Sequence, residues 1–169
     1  INQTGYSNGD LGLRGRSFRF CSELLMKVKK FTKIPPKSIL SEIESNCDRT
    51  NNKTLFDIAG QTLGAFGLFD KSISYLEKSV ALDPNSPTSL ISLAIALQFK
   101  KSYKKQVKVL NQLLQFVQED PLVLRMSIQA AAFSENKVFA KKALKFIRKH
   151  NPSAYPQALD FLKNYFGSI

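Results

Sequence analysis

The chain has 169 residues, 43% of them hydrophobic, with 13 Phe and 5 Tyr as bulky anchors. This is enough apolar bulk for one ordered domain or a stack of short repeats, and too much for wholesale disorder. A formal net charge of +12 favours an acidic partner, nucleic acid or an anionic surface, while apolar stretches such as Leu90–Leu97 fall far short of the roughly 20 residues that span a bilayer.

The chain opens on Ile1 rather than Met, so sequence upstream of it is expected and a targeting segment would lie out of view. Over Ile1–Phe18, Gly5, Gly9, Gly12 and Gly15 recur among Ser, Asn and Arg without an apolar period, which reads as an extended arm. Phe20, Leu24, Leu25 and Val28 then follow helical spacing until Pro35-Pro36 breaks it, predicting a short basic helix over 18–31. Ile39, Leu40 and Ile43 predict another over Lys37–Cys47. Cys21 and Cys47 have no further cysteine with which to build a metal site or disulfide framework, so both are expected as reduced thiols. The expected compartment is accordingly intracellular, the cytoplasm first and an organelle as the alternative. Asn-X-Ser/Thr matches at Asn2 and Asn52 are too common by chance to argue for secretion.

From Thr54 the pattern becomes regular. Helices are predicted over 54–66, 70–82, 87–100, 103–117, 121–133, 137–149 and 154–166, separated by Gly67, Asp83-Pro84-Asn85-Ser86-Pro87, Glu119-Asp120-Pro121 and Asn151-Pro152-Ser153. No strand alternation appears. The intervals Pro84 to Pro121 and Pro121 to Pro152 average 34 residues, the period of a helix–turn–helix repeat.

Ala59-Gly60 and Leu63 in the first helix of a pair, Phe69, Ser72, Leu76, Ser79 and Leu82 in the second, and the closing Asp83-Pro84 resemble the tetratricopeptide repeat family. Two antiparallel helices approach closely only where small side chains meet, and Gly60 against Ser72 is that expected contact. A second repeat carries Leu93-Ala94, Leu97, Tyr103, Leu110 and Leu113, with Gln106 where a small residue is usual. A third keeps Met126-Ser127, Ala130, Ala140, Leu144 and Ile147, with one residue inserted between its helices. Tyr155, Leu159, Leu162 and Phe166 resemble the family's C-terminal capping helix. The resemblance implies an all-α fold, a right-handed α-solenoid of about three tetratricopeptide-like repeats (about 54–86, 87–120 and 121–153) and a cap over 154–169. Before these come the arm and short helix, 1–36, and a flanking helix and linker, 37–53; the helices near 18–31 and 37–48 are a candidate degenerate pair shielding the stack's other end.

Gly60, Gly64 and Gly67 superficially resemble a phosphate loop, but lie along a helix and its exit rather than after a strand. His150, the only histidine, suits a helix C-terminus, and no Ser, Cys or carboxylate has a nearby sequence partner for nucleophilic chemistry. No catalysis, cofactor or metal is expected. The family binds extended peptides on the concave face of its first helices, which implies a groove of Asp57, Gln61, Ile91, Ile95, Gln98 and Arg125. Asp57, Gln61 and Ser92 replace the Lys/Asn clamp with which some members grip acidic chaperone tails, while Ile91 and Ile95 suggest an apolar peptide or the arm itself.

Lys101, Lys104, Lys105 and Lys108 stripe one second helix, and Lys141, Lys142, Lys145, Arg148 and Lys149 stripe another. On the family's convex surface these would align into one basic patch with sparse aromatic interleaving, which disfavours base stacking. The leading expectation is a protein–protein scaffold, adaptor or assembly factor. The alternatives are nucleic-acid association through the stripes, a subunit of a larger assembly, organellar included, and a small chaperone, since three repeats also resemble those of type III secretion. Oligomeric state has no sequence signal.

Overall fold

Asn52, Ser86 and Asp120 recur at one interval, and each caps a helix through its side-chain oxygen. Asn52 accepts the Leu55 N–H (3.1 Å), Ser86 that of Ser89 (3.5 Å), and Asp120 those of Leu122 and Val123 (2.8 and 3.0 Å). Each cap satisfies an amide the first helical turn leaves without a partner. Proline follows two of them at the first helical position, where a missing N–H costs nothing.

The structure, a computed structural model, describes residues 8–169, with side chains from Arg16 onward. Its described helices are α1 (Asn8–Val28), α2 (Lys37–Cys47), α3 (Lys53–Ala65), α4 (Phe69–Leu82), α5 (Pro87–Phe99), α6 (Tyr103–Leu113), α7 (Pro121–Phe133), α8 (Lys137–His150) and α9 (Tyr155–Phe166), with a 3-10 turn at Pro152–Ala154 before α9. Among the described residues there is no strand. Helices α3, α5, α7 and α9 begin at residues 53, 87, 121 and 155, and α4, α6 and α8 at 69, 103 and 137. The spacing is a constant 34 residues, with no insertion in the third pair. The uneven proline intervals come from where proline sits in each turn.

The turns inside the pairs repeat as strictly. Gly67, Lys101 and Glu135 all take left-handed backbone (φ 75°, 58° and 56°), and the amides of Leu68, Ser102 and Asn136 reach back to the carbonyls of Leu63, Leu97 and Ala131 at 3.0, 2.9 and 2.8 Å. This bond pattern closes a helix by feeding its last carbonyls. Only the first turn uses the glycine that makes the conformation cheap.

Contacts divide the chain into two compact units, one ending at Asp83 and one beginning at Pro84. In the first, α1 and α2 pack on each other and on α3, and α3 lies along α4. Leu24, Leu25, Val28, Leu40, Ile43, Leu55, Phe56, Ala59, Leu63 and Tyr75 share its core. The α1–α2 pair thus packs against α3. Two expectations change here. The segment read as an arm is helical from Asn8, because glycine weakens a helix by about 1 kcal/mol without forbidding it; residues 1–7 of that arm lie outside the described residues. Cys21 and Cys47 are not free thiols but a buried disulfide tying α1 to α2, with Cα atoms 5.4 Å apart.

In the second unit α5 packs on α6, α6 on α7, α7 on α8, and α9 on both α7 and α8. Leu90, Leu93, Ala94, Leu97, Leu110, Val123, Leu124, Ala131, Ala140, Leu144 and Leu162 are buried within it. Helix α9 buries Leu162 fully and covers the edge of the last pair. Helix α6 ends at Leu113 rather than 117, because its exit tightens into i to i+3 bonds from Gln115 and Phe116.

Candidate partner-binding surfaces

The close approach of α3 and α4 is built on Gly60. A Cβ there would lie 2.5 Å from Leu76 Cγ and 3.2 Å from the Ser72 carbonyl oxygen, and the Ser72 hydroxyl donates to the Gly60 carbonyl at 2.6 Å. One repeat later, buried Gln106 takes the place of Ser72 and its Nε2 donates to the Ala94 carbonyl at 3.1 Å. The larger side chain therefore keeps the same helix-to-helix bond. Leu76, Leu110 and Leu144 fill one equivalent buried position in the three pairs.

The sequence-predicted groove residues separate. Asp57 is buried, accepts the Ser79 hydroxyl of α4 at 2.7 Å, and pairs with Lys53 at 3.0 Å. It joins α3 to α4 and is not an open lining position. Gln61 is exposed on α3; Ile91 and Ile95 are half-buried on α5. Gln98 bridges helices, accepting from Gln106 of α6 at 3.4 Å and donating to Gln129 of α7 at 3.4 Å.

Arg125 is exposed on α7 and lines a cavity of about 730 Å³ between α7 and the α8–α9 region. Leu122, Ile128, Ile147, Ala158 and Phe161 supply its apolar walls; Gln129, Asn151, Gln157 and Asp120 supply its polar atoms. Sequence reasoning missed the α9 wall, because Gln157, Ala158 and Phe161 gain meaning only once α9 folds back on α7. The resemblance to a capping helix was the signal that could have located it.

Six of the nine predicted basic residues line two recesses. Lys101, Lys104 and Lys105 line a recess of about 440 Å³ with Tyr103 and Phe133. Lys141, Lys145 and Arg148 line another of about 310 Å³ with Tyr155 and Leu159, and the Arg148 guanidinium lies 5.8 Å from the Tyr155 ring centroid. Lys142 donates to Asn111 of α6 at 2.6 Å, while Lys108 and Lys149 are exposed on α6 and α8.

Neither a family model, nor a curated protein, nor a solved structure matches the chain.

In the first unit, charged groups knit α2 to α4. Lys71 pairs with Glu44, and Lys78 with Asp48 at 2.7 Å; Lys78 also lies 5.0 Å from the Tyr75 ring centroid. Burial, and then the Asp48 and Glu44 carboxylates, push the Tyr75 phenol above its ordinary range, so it stays neutral. His150 closes α8, as its position in sequence suggests, with Nδ1 3.6 Å from Glu119 and its ring beside Phe146. No group of three or more His, Cys, Asp or Glu among the described residues is placed to hold a metal ion.

Proposed function

We propose that the chain is a non-catalytic binding scaffold, an adaptor or assembly factor of tetratricopeptide type, that holds a peptide segment against the α7–α9 trough. The observation that carries this reading is the trough itself: about 730 Å³, apolar walls, and one exposed guanidinium at its side. A site of that size and polarity suits a short segment with apolar side chains and one carboxylate. The constant 34-residue helix spacing supports the family reading. Recognition would rest on preorganised shape: Leu122, Ile128 and Phe161 receive the apolar side chains, Arg125 pairs with the acid in a forked hydrogen bond, and Gln129 and Gln157 bond the peptide backbone. The Cys21–Cys47 bond supports an oxidising working environment in place of the cytosol expected from free thiols.

Selection of displayed random peptides on the full chain tests the proposal. Enriched sequences should pair bulky apolar residues with Asp or Glu, and Arg125→Glu, an exposed change, should weaken them by about tenfold or more, since charge-assisted bonds contribute about 1.5–3 kcal/mol. Peptides indifferent to Arg125→Glu would overturn the site.

A further inference from the structure

The aromatic residues that look sparse along each basic stripe are brought together by the fold. Tyr103 opens α6, Phe133 ends α7, and Phe161 and Tyr165 lie on α9. Their rings form one cluster centred on Phe133, whose centroid is 4.9 Å from Tyr103, 6.5 Å from Phe161 and 6.0 Å from Tyr165. An aromatic cluster serving only as core would be closed to solvent. Here Phe133 is 45% exposed, Tyr165 45% and Phe161 38%.

Cations border the open rings. Lys101, Lys104 and Lys105 share the recess walled by Tyr103 and Phe133, with Glu135 as its one acidic member. Residues 84–169 as a whole carry 13 basic and 4 acidic side chains, so the field around the cluster is positive. Open π-faces beside several cations match a ligand that alternates flat rings with regularly spaced negative charges, as a single-stranded nucleic acid does. An acidic peptide would satisfy the lysines but has no repeated ring for each aromatic side chain. A duplex keeps its bases stacked on one another and offers the rings nothing.

The geometry points to a single-strand nucleic-acid platform in the second unit: Phe133 and Tyr165 stack bases, Tyr103 and Phe161 pack on Phe133 and hold it in place, and Lys101, Lys104 and Lys105 contact phosphates. This surface is independent of the peptide reading, apart from sharing Phe161 with the edge of the trough.

The test is fluorescence anisotropy of the full chain with a labelled oligo(U) or oligo(dT) of about 12 nucleotides, a length within the usual span of such sites, beside a duplex of equal length and a poly-glutamate peptide. Single strands should bind more tightly than the duplex. Tyr165→Ala and Phe133→Ala should each weaken binding by about fivefold or more, the loss of one stacked base, while Lys101→Glu with Lys104→Glu should lower the slope of log affinity against log salt by about 1.4. Circular dichroism melting identifies any variant that has merely unfolded; because Tyr165 and Phe133 lie on different helices, a folded variant of either suffices. Single-strand affinity that survives ring removal in a folded variant, or equals that for the duplex, overturns the platform. Equal and ring-dependent binding of poly-glutamate also overturns it, in favour of a protein partner.

Discussion

At the scale of single residues, Gly60 is a tightly constrained position. Alanine is the better helix former by about 1 kcal/mol, so an open site would gain from Gly60→Ala. The added Cβ instead falls 2.5 Å from Leu76 Cγ, a branch atom that cannot swing aside as a flexible tip would. Overpacking of this kind costs about 1–3 kcal/mol, and the steric term is expected to win. Gly60→Ala should lower the urea midpoint, and Gly60→Leu should lower it further. An unchanged midpoint for Gly60→Leu would mean that the α3–α4 contact is misassigned. The resemblance to tetratricopeptide repeats pointed to Gly60 and Ser72. It did not show that Ser72 bonds the Gly60 carbonyl, nor that Gln106 repeats the same bond from a longer side chain, since spacing says which residues meet and not which atoms.

At the scale of elements, helix boundaries rest on caps. Asp120 satisfies two amides of α7, and its carboxylate stands at the positive end of the helix dipole. Asp120→Ala should destabilise the second unit by about 1 kcal/mol, and Asp120→Asn should recover most of that loss, because the amide oxygen accepts the same N–H groups. Thermal melts of the three proteins check both statements; equal melting temperatures for all three would remove the cap from the account. The helix starts were legible to within a residue or two wherever a cap and proline flank an apolar period. The start of α1 was not, because glycine-rich composition favours loop in sequence although no residue there forbids helical backbone.

At the scale of the whole molecule, the disulfide distinguishes the first unit from the second. The Cys21–Cys47 bond closes a loop of 26 residues, for which the chain-entropy model gives a contribution of about 3–4 kcal/mol. Reduction, or Cys21→Ser with Cys47→Ser, should therefore shift unfolding reported from the first unit, read by hydrogen exchange at Leu25 and Ile43, far more than exchange at Leu110 and Leu144 in the second. A uniform change across both units, or none, would contradict a local staple. Neither cysteine's partner was readable from the sequence: two cysteines 26 positions apart fit free thiols as well as a bond, and only the packing of α1 on α2 places their Cα atoms 5.4 Å apart.

Sequence by itself determined the all-helical class, the 34-residue spacing and nearly all helix limits, because period, caps and proline act within a few residues of themselves. The tertiary structure alone decided which side chains share a surface. It buried Asp57 against Ser79, placed Arg125 in one cavity with residues of α9, and put Lys101, Lys104 and Lys105 in one recess and Lys141 and Lys145 in another. It also drew aromatic residues from α6, α7 and α9 into one cluster. Such groupings depend on how helices distant in sequence pack, and a local pattern carries no record of them.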